Sequence, residues 1–415
     1  VPVDSTEGPL GAAMAPALQA GFVVLDRGDW TFTHDHVREA VLGAIAPAER
    51  AALHLAITRR LRAANDERIP AFLIATQANL ARPAVVHPIE HRAFALINLE
   101  AGKRAKAATA HHAALDFFGW TLTWLGDEQT SPEALEASLL CGEAEFMTGA
   151  LEAAEMRLAA LQGLAGDGLF SAEVARLRVA LYTTLGRYDL ALDIGLAFLA
   201  SAAGIVLPRH PTPAQVDAEY APLRAWIDEH GIDALRDWPV DPDPRRRALV
   251  NVFADLVPPA MYSDQQLVDL MLLRVARLAI AHGHCDASAN AYVCLIQVLG
   301  ARYGDFASSR AFGELALHLI GERGLRRYQA RVLHTYATFV VPWTQPARGA
   351  REVFGRAFEI ATREGDHTFA LYCGRNQATG MLFAGEFLED VRQTVEGALA
   401  RAKDANFRLV VGAVL

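Results

Sequence analysis

Gly149-Ala-Leu151-Glu-Ala-Ala154, Gly186-Arg-Tyr188-Asp-Leu-Ala191 and Gly304-Asp-Phe306-Ala-Ser-Ser309 are one motif written three times, and Gly385-Glu-Phe387 repeats its opening. Each has a glycine followed two positions later by a large apolar residue. In the first three a small residue follows five positions after the glycine. Each motif separates two stretches whose apolar residues recur at helical spacing. A glycine permits the tight turn that joins two helices. The large residue is expected to seed the core of the pair, and the small one to let the two helices approach closely. The glycines at 149, 186, 304 and 385 are 37, 118 and 81 residues apart, near one, three and two multiples of about 40.

Helix pairs are therefore expected about every 37–41 residues, slightly longer than the roughly 34 of a tetratricopeptide repeat. From Pro47 onward nearly every segment reads as helix. Leu53, Ile57 and Leu61 fall on one face, and Ala114, Phe117, Phe118, Thr121, Leu122 and Leu125 on another. No strand-like alternation of useful length follows residue 50. Two Pro-rich connectors, 203–213 and 237–244, flank about one helix and are expected to offset the array midway. The start of the chain reads differently. Ala13 to Ala20 suits a short helix, Phe22–Leu25 and Trp30–Thr33 a small hairpin about Asp26-Arg-Gly-Asp29, and Asp35–Ile45 a second helix. Helix, hairpin, helix is the tail of a winged-helix pattern. The expected fold is all-α: a tetratricopeptide-like helical-repeat solenoid over 51–415, led by a winged-helix remnant over 1–50.

Composition narrows the function. The 39 basic and 48 acidic residues of the 415 give a net charge of −9, a poor start for binding nucleic acid through its phosphates. Hydrophobic residues make up 52%, enough for a sizeable core. The longest apolar stretches are interrupted by arginine, as Leu267–Ala281 is by Arg274 and Arg277, so no membrane span is expected. Four cysteines are too few for a disulfide framework and point to a reducing cytoplasm. No basic segment precedes an apolar run at the start, so no secretory signal is expected, and the chain is expected to begin inside a longer polypeptide.

Catalytic motifs are missing. There is no Gly-x-x-x-x-Gly-Lys-Ser/Thr loop, no Gly-x-Gly-x-x-Gly after a strand and no Gly-x-Ser-x-Gly elbow. His87-Pro-Ile-Glu90-His91 fits a zinc-protease pattern. Pro88 at a first helical position, however, leaves His87 outside the helix and makes the segment an ordinary helix start. His282, His284, Cys285 and Cys294 straddle a glycine break and lack a paired Cys-x-x-Cys. Arg245-Arg246-Arg247 answers Asp241 and Asp243 locally. The expectation is a chain with no catalytic residue, no metal and no cofactor of its own. At Phe32-Thr33-His34-Asp35, where hairpin meets helix, Asp35 is expected to cap the helix and His34 to pack against it.

Phe32-Thr-His-Asp-His-Val-Arg-Glu-Ala40, Ile45-Ala-Pro-Ala-Glu-Arg50 and Leu53-His-Leu55 resemble the segment that follows the ATPase module in very large bacterial signalling proteins. Those proteins join a serine/threonine-kinase-like domain, an AAA/STAND-type ATPase, a tetratricopeptide-like region, a GAF domain and a histidine kinase. The resemblance extends through 98–107, 181–188, 210–213 with 258–262, and 382–387. It implies a sensor and protein-interaction arm of an ATP-dependent, two-component signalling kinase, with ATP or ADP held by the parent polypeptide. A protein or peptide on the concave face, or the neighbouring ATPase and output domains, would be its partners. His34 matches the family's phosphate-sensing histidine and Asp35 the residue beside it, with Thr33 where the best-known version has Met. The alternatives are a standalone scaffold, or the arm of a STAND-type transcription activator or nucleotide cyclase.

Overall fold

The computed structural model describes residues 9–26, 29–64, 66, 68–164 and 168–404. Helix accounts for 78% of it, more than twice the share in ordinary globular proteins. Two compact units divide the chain, residues 1–137 and 138–415. The boundary expected at residue 50 lies within the first of them.

The first unit opens with α1 (Pro9–Gln19), β1 (Val23–Asp26), β2 (Asp29–Phe32) and α2 (Asp35–Ala44). The strands pair antiparallel, Val23 opposite Phe32 and Asp26 opposite Asp29, so the hairpin stands where the β-rich residues placed it. α3 (Pro47–Ala64), α4 (Ala71–Ala81), α5 (Pro88–Ala107) and α6 (His111–Leu125) then pack each on the next. Ala51, Leu55 and Thr58 form the buried face of α3. The expected stripe of Leu53, Ile57 and Leu61 is therefore rotated, and Leu53 faces solvent. Small residues let α4 come close, so the register follows Ala75, Ala78 and Ala81, all fully buried. In α6 the expected stripe does turn inward at Ala114, Phe118, Thr121 and Leu125, joined by Trp124. The indole donates to Asn79 at 2.8 Å, and Asn79 and Asn98 exchange amide hydrogen bonds at 2.9 Å, so this core keeps no unpaired indole.

The unit boundary falls inside α7 (Pro132–Met147). There follow α8 (Leu151–Leu164), α9 (Leu169–Thr184), α10 (Tyr188–Ala203), α11 (Pro213–His230), α12 (Pro244–Met261), α13 (Gln265–His282), α14 (Asp286–Cys294), α15 (Ile296–Leu299), α16 (Phe306–Gly321), α17 (Gln329–Thr335), α18 (Val341–Thr344), α19 (Ala350–Glu364), α20 (His367–Phe383) and α21 (Leu388–Asp404). The first helices of successive pairs begin at 132, 169, 244, 286, 329 and 367, so the steps are 37, 75, 42, 43 and 38 residues. The long step holds α11, which lies between the two Pro-rich connectors and packs on α13. Glu219 of α11, buried, takes Arg274 at 2.7 Å from both oxygens and Arg277 at 2.8 Å. The two arginines that interrupt the apolar run of α13 thus dock the inserted helix.

The four motif glycines take φ of 84°, 71°, 71° and 69°. After each, the next N–H returns to the last turn: Ala150 to Glu145, Arg187 to Tyr182, Asp305 to Leu299 and Glu386 to Met381, at 2.7–3.0 Å. This is the left-handed helix stop that glycine enters without steric cost. The small residues Ala154, Ala191 and Ser309 are fully buried between helices. The large residues are not core seeds: Tyr188 is half-buried and Phe306 and Phe387 are exposed. They stand on the turn edge, because a residue one step into a helix lies at the pair's end, not in its middle.

α9 packs on α12, α12 on α14, α14 on α17 and α17 on α20, so first helices form a continuous layer. Their partners α10, α13, α16, α19 and α21 pack against that layer. The second unit is thus a helical repeat in the strict sense: each pair buries its faces on the pairs before and after. A turn of π-helix, Tyr336–Val340, ends two residues before Pro342, whose nitrogen has no hydrogen for the carbonyl of Thr338.

Candidate functional site

The hairpin delivers the backbone to His34. Thr33 donates its hydroxyl to the carbonyls of Gly21 and Phe22 at 2.8 and 3.1 Å, and its N–H to Phe22, which pins the end of β2 to the end of α1. His34 follows in extended conformation, φ −142° and ψ 143°, and its carbonyl takes the first N–H groups of α2 from Val37 and Arg38. The cap position therefore falls to His34, not to Asp35 as expected, and the imidazole makes no capping bond. Asp35 is the first helical residue. It pairs with Arg38 at 3.2 Å and places a carboxylate where the helix dipole favours one. His34 does not pack inward either: it is exposed, and α2 has no buried residue.

The candidate metal sets resolve into structure. His87 is the cap before Pro88, Glu90 takes a bidentate bond from Arg59 at 2.8 and 2.9 Å, and His91 stands edge-on to Trp124. His284 is buried with Nε2 2.8 Å from the carbonyl of Leu235, and burial pushes its pKa down. Pro239 accepts from the His284 N–H at 2.7 Å, and Asp241 donates to the His284 carbonyl at 2.9 Å. Gly283 allows this approach at φ 112°, since a Cβ there would meet the Asp241 nitrogen at 2.6 Å. Asp241 is itself buried beneath Arg246. Among the described residues no group of three or more His, Cys, Asp or Glu could hold a metal.

Sequence reasoning missed a charged cluster on the layer of first helices. Asp255 of α12, almost fully buried, accepts from Arg176 of α9 and, at 3.0 Å, from Arg331 of α17. Burial pushes the Asp255 carboxyl up, but the two guanidinium charges outweigh it and hold it below the ordinary range. Arg331 also faces Asp366 at 3.5 Å, and its guanidinium lies over Tyr328 and Phe369 at 5.2 and 5.0 Å. Glu173 of α9 takes Arg176 at 3.2 Å and Arg327, just before α17, at 3.0 and 3.1 Å. Side chains of α9 and α17 therefore meet over α12. Three arginines and four carboxylates, Asp286 included, fill this part of the layer. The signal in the sequence was one lone acid, Asp255, inside the largely apolar stretch Ala248–Ala260.

One turn beyond Arg331, His334 is buried among the rings of Phe354, Phe369 and Tyr372 at 6.1, 5.4 and 6.1 Å. Its Nε2 lies 2.8 Å from the Asn376 amide nitrogen, and Nδ1 is buried with no partner. Burial, aided by the nearby charge of Arg375, pushes its pKa down to about 4. The imidazole is neutral and serves the core.

No family model and no curated protein matches the chain. Among solved structures it is similar to a Signal Transduction ATPase with Numerous Domains (STAND) protein with a tetratricopeptide repeat sensor, from Pyrococcus horikoshii. That likeness has 14% identity and a TM-score of 0.31, and covers 99% of this chain and 61% of that one. It is also similar to the tetratricopeptide-repeat domain of P58(IPK), with 13% identity, a TM-score of 0.22, and coverage of 88% and 97%. The chain spans about three fifths of the length of the first. The fold assignment rests on the helix contacts of the second unit. Among the described residues no single helix is long and apolar enough to cross a membrane.

Proposed function

We propose that this chain is the non-catalytic sensor and protein-interaction arm of a multidomain, ATP-dependent bacterial signalling kinase in the cytoplasm. In this reading residues 1–50 end a winged-helix subdomain and 51–415 form the arm. The observation that carries it is the His34 junction. A hairpin and a helix with Val23 as their one described buried apolar side chain present an exposed imidazole at a helix start. Such a segment is suited to be covered by another body, and an imidazole beside helical N–H groups is suited to a phosphate oxygen. Asp35 opposes an anion at close range, so the contact would be sensitive to phosphate charge and distance.

The helical repeat supplies the other half of the reading. Stacked pairs offer a long surface for a protein or peptide. A ligand preferring one arrangement of the arm would shift the attached ATPase by its differential affinity for the two states. The test is His34→Ala in the intact polypeptide, read by nucleotide affinity and by autophosphorylation. The expected result is a changed ADP or ATP affinity with an unchanged thermal melt of the arm. Unchanged affinity and unchanged phosphorylation would overturn the sensing role. Equal phosphorylation with and without residues 51–415 would overturn the regulatory one.

A further inference from the structure

α11 stands outside the layer of first helices, and its own residues make it a self-contained amphipathic helix. Val216, Glu219, Leu223 and Ile227 form its one buried face, and Ala218, Ala221 and Ala225 face solvent. Thr212 and Gln215 close its start by reciprocal bonds at 3.3 and 2.8 Å, and Gly231 ends it at φ 75°. Pro222, in its middle, has no N–H for the carbonyl of Ala218. Its seat is α13 and the turn before α16, and the two are matched in charge. In the first half of α11, acids meet bases. Asp217 takes Arg302 at 3.1 Å and the Tyr303 hydroxyl at 2.7 Å, and Glu219 takes Arg274 and Arg277. In the second half the sign reverses, and Arg224 donates to Asp305 at 2.9 Å. Tyr220 stacks on Tyr303 with centroids 3.9 Å apart. The chain on either side is fastened separately. Arg209 binds Asp189 at 2.6 Å before the helix, and the Trp238 indole donates to the Ile280 carbonyl at 3.0 Å after it.

We propose that this seat is a recognition site for an amphipathic helix of a partner protein, and that α11 is its resident occupant, released as one piece. The partner it fits carries apolar residues at the spacing of 216, 223 and 227, two acids before the second of them and a base after it. The seat reads that order because its three arginines face the first half of the helix and Asp305 the second. Release is local. α9, α12 and α14 stack without α11, and Pro222 leaves the helix one bond short. The fastened flanks keep the freed segment near its seat, at an effective concentration on the order of 1 mM. The resident helix therefore masks the seat from any ligand weaker than itself. This site depends on neither His34 nor a neighbouring ATPase, so failure of either reading leaves the other standing.

Two measurements on the 415-residue chain test this. Hydrogen exchange of the unaltered chain is expected to reach the amides of 213–230 through an opening that leaves α12 and α13 protected. The second measurement is the binding of a fluorescent peptide of residues 212–231. It is expected to bind the Glu219→Gln chain, whose own α11 is loosened, at least about ten-fold tighter than the unaltered chain. The same peptide carrying Glu219→Gln is expected to lose that gain, because only the native acid answers Arg274 and Arg277. Exchange of α11 only together with α12 and α13, equal peptide affinity for the two chains, or equal affinity of the two peptides would each overturn the proposal. Should the Glu219→Gln chain fail to fold, the exchange of the unaltered chain decides alone.

Discussion

Thr109 shows what the glycine turns contribute. It closes α5 with φ 58°, and the following N–H, of Ala110, returns to Ala105 at 2.9 Å, the same stop that Gly149 and Gly186 make. It is the one described non-glycine residue with positive φ. A β-branched side chain there costs about 1–2 kcal/mol, whereas glycine costs roughly 0.5–1 kcal/mol in unfolded-chain entropy. Thr109→Gly is therefore expected to raise stability by about 0.5–1 kcal/mol, read as a higher urea midpoint at constant slope. The same residue marks a limit of sequence reading. Glycine spacing revealed the four motif turns, but a threonine in the same conformation has no signature, so the α5–α6 pair did not enter the repeat count.

The elements are joined by charge as well as by apolar burial. Asp255 binds α12 to α9 and α17 through Arg176 and Arg331. Removing the carboxylate leaves two partly buried guanidinium groups facing each other without a counter-charge. Asp255→Asn is expected to cost about 3–5 kcal/mol, and hydrogen exchange should quicken in α9 and α17 before it does in α21. A loss below 1 kcal/mol would mean that α9 and α17 are held by apolar packing alone. The inserted α11 follows the same logic, anchored by Glu219 between Arg274 and Arg277. Sequence pattern read those arginines as breaks in an apolar run. An acid 55 residues away explains them, and no local window contains it.

Across the whole molecule, buried histidines and paired carboxylates set the response to acid. The neutral His334 has its pKa pushed down to about 4 in the fold, against about 6.5 in an unfolded chain. Between those values the unfolded chain binds the extra proton, so stability falls as pH falls through that window. The loss is at most about 3 kcal/mol, and His284, also lowered, adds in the same direction. Asp255 and Glu219 are held below the ordinary carboxylate range, so their contribution is present above that range and fades as pH drops through it. Urea midpoints at pH 7.5, 5.5 and 4.5 should decline steadily. His334→Gln should flatten the decline at both steps, since its window runs from about 6.5 to about 4, and leave the smaller decline that His284 and the paired carboxylates contribute. An identical pH profile in His334→Gln would remove His334 from this account.

Periodicity and turn chemistry are local properties, and they determined the helical class, the hairpin at Val23–Phe32, the glycine stops and the repeat near 40 residues. They also placed the buried Ala154, Ala191 and Ser309, because a small residue near a helix start has one use in a tight pair. The tertiary structure alone decided which face of α3 turns inward and that α11 stands outside the layer of first helices. It also decided that Asp255, Arg176 and Arg331 converge, and that the large residue after each glycine stands on an edge. Those outcomes depend on partners tens of residues away, and helical spacing carries no information about which helix will lie opposite. The cap at His34 shows the same division at its smallest. Sequence placed the helix start to within one residue, but whether an imidazole there points inward or to solvent depends on what packs over it.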